Sequence, residues 1–342
     1  MQGRARPSRI FFALLQSVYI ELWGMLKTIQ KNGDPIFCVF AFCLRVAVES
    51  VFWTNTVWYV LLGLVTVVQV TFTLRRAENR RQAVALYITL LGMTLWLETF
   101  LLVVFKSYAY YPGIITDPAH AYDDILAGNL FSQFSIAASM LTVAVLRLKF
   151  RWCVALAVAY GVVEELFLAL GIYEHFWYRT YFTVALLPFA FLLARKMHDR
   201  LKEGLKPVYY YGYVFFSLFA LNVITLDWGL MLADVKTTSH TLLPDPHISR
   251  YGVTVLQHVI LASSLMLAYF TSVRWRWKAL IMLALEIAYF VLYRNAIIII
   301  RHVWFIPVSA ATILWTYASI VLMDRLYGLG GPARLKLHKR YR

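Results

Sequence analysis

YGVVEELFLALGIYEHFW, residues 160–177, is the stretch on which the fold turns. It is an apolar run with two adjacent glutamates, Glu164 and Glu165, and it closes on Glu174, His175 and Trp177. A buried soluble helix and a membrane helix could both read this way, so the remainder of the chain has to decide. Of the 342 residues, 61% are hydrophobic and only 15% are charged. A soluble domain of that length needs far more polar surface. Several runs also approach or exceed the ~18–20 apolar residues that cross ~30 Å of hydrocarbon. The sequence therefore reads as an all-α polytopic integral membrane bundle whose partner is the lipid bilayer.

The formal charge of +15 is compatible with that reading. Its basic residues sit in short loops between apolar runs and in the tail RLYGLGGPARLKLHKRYR. Nucleic-acid binding would instead want a basic face on a soluble fold with exposed aromatics, and no such domain is read here. Cys38, Cys43 and Cys153 all lie in apolar segments without metal or disulfide spacing, so they read as small core residues and imply no cofactor. The N-terminus begins basic and then apolar, but Glu21 interrupts the run and no small-x-small site follows, so cleavage is not expected.

About ten spans are expected, near 35–53, 57–74, 83–105, 129–148, 151–171, 178–195, 208–233, 253–273, 276–300 and 303–323. All should be helical, because backbone groups must pair internally in hydrocarbon. Residues 1–34 form an N-terminal segment in which 9–30, with Glu21 and Lys27, reads as an interfacial helix. Two leading helices fill 35–82, where Arg45 and Glu49 lie four apart and can pair. Four-helix units occupy 83–195 and 208–323, joined by a basic linker at 196–207 and followed by a basic tail at 324–342.

Orientation follows from counting. Loops at 75–81, 147–151, 195–206 and 274–278 and the tail from 324 carry 4, 3, 5, 3 and 6 Lys or Arg. Loops at 106–128, 172–181, 234–252 and 301–302 carry 1, 1, 2 and 1. The alternation puts the first set, and the C-terminus, in the cytoplasm. The two four-helix units also echo each other. Glu98 matches Asp227, Gln133 matches Gln257, FRWCVAL matches WRWKALI, and YEHFW matches IIRHVW, at offsets of 129, 124, 125 and 127. Units of four helices repeat in the same orientation, a parallel tandem repeat. Interfacial tryptophans recurring at each crossing would give part of this match without duplication.

Intramembrane acids cost ~2.5–3.5 kcal/mol near mid-helix and usually face a bundle interior or a wet cavity. The candidate ligand-binding residues are Glu164 and Glu165 as central acceptors, with Glu98, Asp227, Glu286, Gln133 and His175 around them, opening outward beneath the loops at 106–128 and 234–252. Asp227 and Glu286 have Arg294 as an expected partner. EELFLAL invites comparison with the intramembrane proteases that process prenylated proteins, whose two glutamates precede an arginine four residues after the second. Here that position is Ala169, which removes a catalytic element. No HExxH, GxSxG, Walker or GxGxxG element stands in a usable context.

The stretch from LETFLLVVFKSYAYYPGIITD to EELFLALGIYEHFWYRTYFT resembles small uncharacterised multi-spanning membrane proteins of spore-forming Firmicutes. It shares a Tyr-Pro after one helix and a Glu…Gly-Ile-Tyr-x-His-x-Trp signature on a later one, over about residues 95–185. The resemblance implies a bacterial cytoplasmic membrane and transfers no site residues. Three functional readings stay open: a carrier or sensor for a proton, a cation or a small cationic molecule; a structural or partner-binding envelope protein whose acids only lock helices together; and an intramembrane enzyme using a carboxylate and His175.

Overall fold

The computed structural model of the chain describes residues 51–115, 121–239, 241–272, 274–301 and 303–328. The interfacial segment at 9–30, the Arg45–Glu49 pair, Cys38, Cys43, His302, nearly all of the 35–53 span and the tail from 329 lie outside these residues.

Nine long helices are found among the described residues: α1 Val57–Arg76, α2 Arg80–Glu98, α3 Ala121–Leu146, α4 Phe150–Leu170, α5 Thr180–Glu203, α6 Pro207–Asn222, α7 Pro246–Phe270, α8 Trp275–Arg294 and α9 Phe305–Tyr327. Eight are long and apolar enough to cross a membrane. The exception is α8, which carries Arg276, Lys278, Glu286 and Arg294 along its length. Exposed apolar side chains such as Val65, Val67 and Val68 on α1 coat the outside of the bundle, where a soluble protein would place charge. The chain is a helical membrane protein.

Three segments widen into π-helix: Phe52–Thr56 before α1, Thr99–Val104 after α2, and Val223–Trp228 after α6. The last two contain Thr99 and Thr225, whose hydroxyls bond back to the carbonyls of Leu95 at 3.1 Å and Leu221 at 2.6 Å. Such back-bonding loosens the regular ladder, and Glu98 and Asp227 sit at these two places.

Four short strands were not expected from the sequence. β1 Tyr108–Tyr110 pairs antiparallel with β2 Tyr173–His175, and β3 Lys236–Thr238 with β4 Ile298–Ile300. The GIY signature explains the second strand. Gly171 takes φ +74°, and its N–H bonds to Leu168 while that of Ile172 bonds to Phe167. This left-handed stop ends α4 and turns the chain into extended backbone. The expected 276–300 span is likewise shorter, since α8 stops at Arg294 and its last residues form β4. The order helix, π segment, strand, two helices, strand, helix runs over 80–203 and again over 207–327, where one added turn of helix, Gly229–Leu232, stands between the π segment and the strand.

The two halves meet along α2 and α6. Thr89 bonds Ser217 at 2.7 Å and the Tyr213 carbonyl at 3.2 Å. Trp96 packs edge-on against Phe215 and Phe219. Gly92 lets the backbones nearly touch: a Cβ there would lie 1.7 Å from the carbonyl oxygen of Phe216.

Candidate functional site

Neighbouring helix residues point about 100° apart, and α4 uses this to separate its two glutamates. Glu164 turns inward, where it accepts a hydrogen bond from Thr183 of α5 at 2.5 Å and lies 2.6 Å from His175 Nε2. Both members of the pair are about nine-tenths buried. Glu165 stays on the exposed face, where Thr180 donates to it at 2.5 Å. The paired glutamates therefore do not share a site.

The β1–β2 ladder brings the remaining groups together. Its register places Tyr108 opposite His175. The Tyr108 hydroxyl lies 2.6 Å from each carboxylate oxygen of Glu98. Asp124 fastens the loop after β1 by accepting from the N–H groups of Gly113, Ile114 and Ile115 at 2.8–3.0 Å. Beneath this roof lies a cavity of about 210 Å³ lined by Glu98, Glu164, Gln133 and a set of tyrosine rings. Gln133 donates to Asn129 one turn away at 3.1 Å. Burial pushes the hydroxyl pKa of Tyr108, Tyr110 and Tyr173 well above 10, with the nearby carboxylates adding to the shift. They are neutral donors at ordinary pH.

A second cavity of about 110 Å³ lies between the halves, and Glu98 lines this one too. Asp227 projects into it from the α6 π segment, with Lys236 of β3 at 4.0 Å. Burial pushes the Lys236 ammonium pKa down, and Asp227 recovers part of that shift. Arg250 on α7 is held by Asp123 at 2.8 Å, and Tyr251 donates to the same carboxylate oxygen at 3.0 Å. This buried pair ties α7 to α3.

Of the seven sequence-derived candidates, the first cavity gathers Glu98, Glu164 and Gln133, with His175 bonded to Glu164 at its edge. Asp227 belongs to the second cavity. Glu286 lines neither: it accepts from Ser309 of α9 at 2.5 Å, beside an exposed apolar groove. The expected partnership with Arg294 is replaced by Lys236 for Asp227 and Ser309 for Glu286, because α8 carries Arg294 to its exposed last turn. Sequence reasoning missed Tyr108, Tyr173, Thr183 and Lys236. The period-two patterns YAY and Y-x-H are strand signals that would have exposed the two tyrosines.

No three of His, Cys, Asp and Glu come together as metal ligands among the described residues. Chemically, the first cavity offers two carboxylates for positive charge and a hydrogen-bonded path from His175 through Glu164 and Thr183 to Tyr178, whose hydroxyl is 3.1 Å from Thr183. The chain matches no family model, no curated protein and no solved structure.

Proposed function

We propose that the chain is a carrier or sensor of a bacterial cytoplasmic membrane, with an outward-facing acidic site for a proton, a cation or a small cationic molecule. The observation that carries this reading is the first cavity: it holds Glu98 and Glu164 and, among the described residues, no lysine or arginine in its lining. Glu98 has a tyrosine hydroxyl and Glu164 a histidine as partner, and buried carboxylates with no fixed positive charge beside them are costly unless something positive arrives or they bind protons. The end of the bundle that carries the strand ladders is the outer one in this reading, and the basic loops and the C-terminus are cytoplasmic. The recurrence of one element order over 80–203 and 207–327 supports tandem duplication, and transporter sites commonly lie at repeat interfaces.

A different observation favours the structural reading: Glu98, Glu164, Glu165 and Glu286 each already accept a hydrogen bond from a side chain. In that reading the acids lock helices, and the protein's role lies in a partner or a second copy. Thermal stability of the purified protein across pH 5–9, with sodium, potassium and a panel of amines, separates the two. A ligand- or pH-dependent stabilisation lost in Glu98→Gln/Glu164→Gln supports the site. Uniform destabilisation of the variant, with no ligand response in either protein, supports helix locking.

A further inference from the structure

The composition of the first cavity discriminates among cations. This step rests on the cationic-site reading above and goes on to name the ligand class. Hard metal cations want several converging oxygen ligands, about six or more for calcium. This cavity supplies two carboxylates, each already engaged, in walls made mainly of rings and aliphatic chains. A proton alone needs no cavity. A trimethylammonium group suits what is present. It donates no hydrogen bonds, spreads its charge over methyl groups, and is recognised by aromatic faces within ~6 Å together with diffuse negative charge.

Six tyrosines, Tyr59, Tyr108, Tyr110, Tyr160, Tyr173 and Tyr178, line the cavity. Four are interlocked around Tyr108, whose ring centroid lies 5.6 Å from Tyr110, 5.4 Å from Tyr173 and 5.0 Å from Tyr178. Tyr173 is 6% exposed and its ring is one of those that face the cavity. The volume of about 210 Å³ exceeds the ~150 Å³ that holds benzene in an engineered cavity and lies below the ~300 Å³ floor of drug-sized sites. That is room for one small headgroup. Leu97 and Leu186 line the same cavity and are more than half exposed on the apolar outside of the bundle. One wall of the cavity is thus also part of the apolar outer surface of the bundle.

We infer that the cavity beneath the β1–β2 ladder binds a trimethylammonium group, carried either by a small solute or by the headgroup of an amphiphile. The experiment uses the full chain in a maltoside detergent. Wild type is titrated with choline chloride, with tetramethylammonium chloride, with the neutral choline isostere 3,3-dimethylbutan-1-ol, and with sodium chloride at matched ionic strength, reading melting temperature and tyrosine fluorescence. The expected result is a saturable response to both ammonium compounds and none to the isostere or to sodium. Tyr173→Phe keeps the ring and should bind within about twofold of wild type, whereas Tyr173→Leu should bind about tenfold more weakly.

Two lipid arms identify the source. Stabilisation in nanodiscs containing phosphatidylcholine over phosphatidylglycerol alone, with no response to choline, assigns the group to a lipid headgroup. The reverse assigns it to a solute. Equal responses to choline and the isostere, or a response to sodium alone, overturn the ammonium inference; the sodium result leaves the cation site standing. No response to any cation, to pH or to phosphatidylcholine overturns both. The wild-type comparisons, choline with its isostere and phosphatidylcholine with phosphatidylglycerol, decide the matter even if Tyr173→Leu does not fold.

Discussion

Gly92→Ala tests how the two halves are held. The added methyl would sit 1.7 Å from the carbonyl oxygen of Phe216 and 2.5 Å from its carbon, both of them backbone atoms on α6 that cannot rotate away. Non-bonded atoms prefer ~3.5 Å, so the helices must part by roughly 1.5–2 Å at this point. A gap of ~1 Å already forfeits up to half of each ~0.1–0.2 kcal/mol atom–atom attraction. Over a few tens of atom pairs around Trp96, Phe216 and Phe219, that amounts to about 1–3 kcal/mol, the usual penalty for an overpacked core. The Thr89 bonds to Ser217 and to the Tyr213 carbonyl stretch as well, adding about 1 kcal/mol. The expected loss is about 2–4 kcal/mol, read as an earlier midpoint in detergent-driven unfolding followed by tryptophan fluorescence. Gly212→Ala on α6 is the control, since nothing lies within 4 Å of its added methyl. Indistinguishable midpoints for the two variants would refute the close approach of α2 and α6.

The other expectations concern the roof of the first cavity and the buried ion pair. Tyr108→Phe removes the hydroxyl that serves both oxygens of Glu98 and should cost about 1–3 kcal/mol; a melting curve that overlays wild type would show that the bond contributes nothing. Asp124→Asn weakens three backbone contacts by about 1–2 kcal/mol in sum, and limited proteolysis after β1 should accelerate while the helices stay intact. Asp123→Ala leaves Arg250 as an uncompensated buried charge, at a cost of about 3–5 kcal/mol in thermal melts, whereas replacing both by apolar residues should restore much of it. Tyr108, Tyr110, Tyr173 and Tyr178 have folded pKa values raised above 10, chiefly by burial, and that of Tyr178 reaches about 12. A raised folded pKa gives stability present below the unfolded value of 10 and lost as pH climbs past it. Tyrosinate absorbance from this cluster should therefore be absent near pH 10 while the protein stays folded, and its appearance there would contradict the burial.

The sequence made the helices legible because each apolar run is long and each loop has a clear charge. Glu164 and Glu165 were both expected to serve one site, although adjacent helix residues point about 100° apart. Burial decided between them: α5 covers the Glu164 side of α4 and leaves Glu165 outside. The ladders were hidden because three of the three-residue strands lie within stretches read as loops and the fourth within the expected 276–300 span, and their pairing joins residues 60 or more positions apart. Lys236 was counted only as a loop charge, although the ladder buries it against Asp227. Arg294 was offered to Asp227 and Glu286 as a partner from its place toward the outer end of its helix, which said nothing of which way α8 turns it.

The ladders also impose a schedule on synthesis. β1 emerges directly after α2, but its partner β2 follows only once α3 and α4 have been made, and β4 is separated from β3 by α7 and α8 in the same way. During elongation, Tyr108–Tyr110 is therefore a waiting edge whose backbone groups must stay hydrated. Pairing begins when the third helix of each half, counted from α2 or α6, has been laid down. Nascent chains released before residue 173 would hold Glu98 and Tyr108 with no second strand above them. The first chamber is closed late in the assembly of its half, by a seam only three residues long.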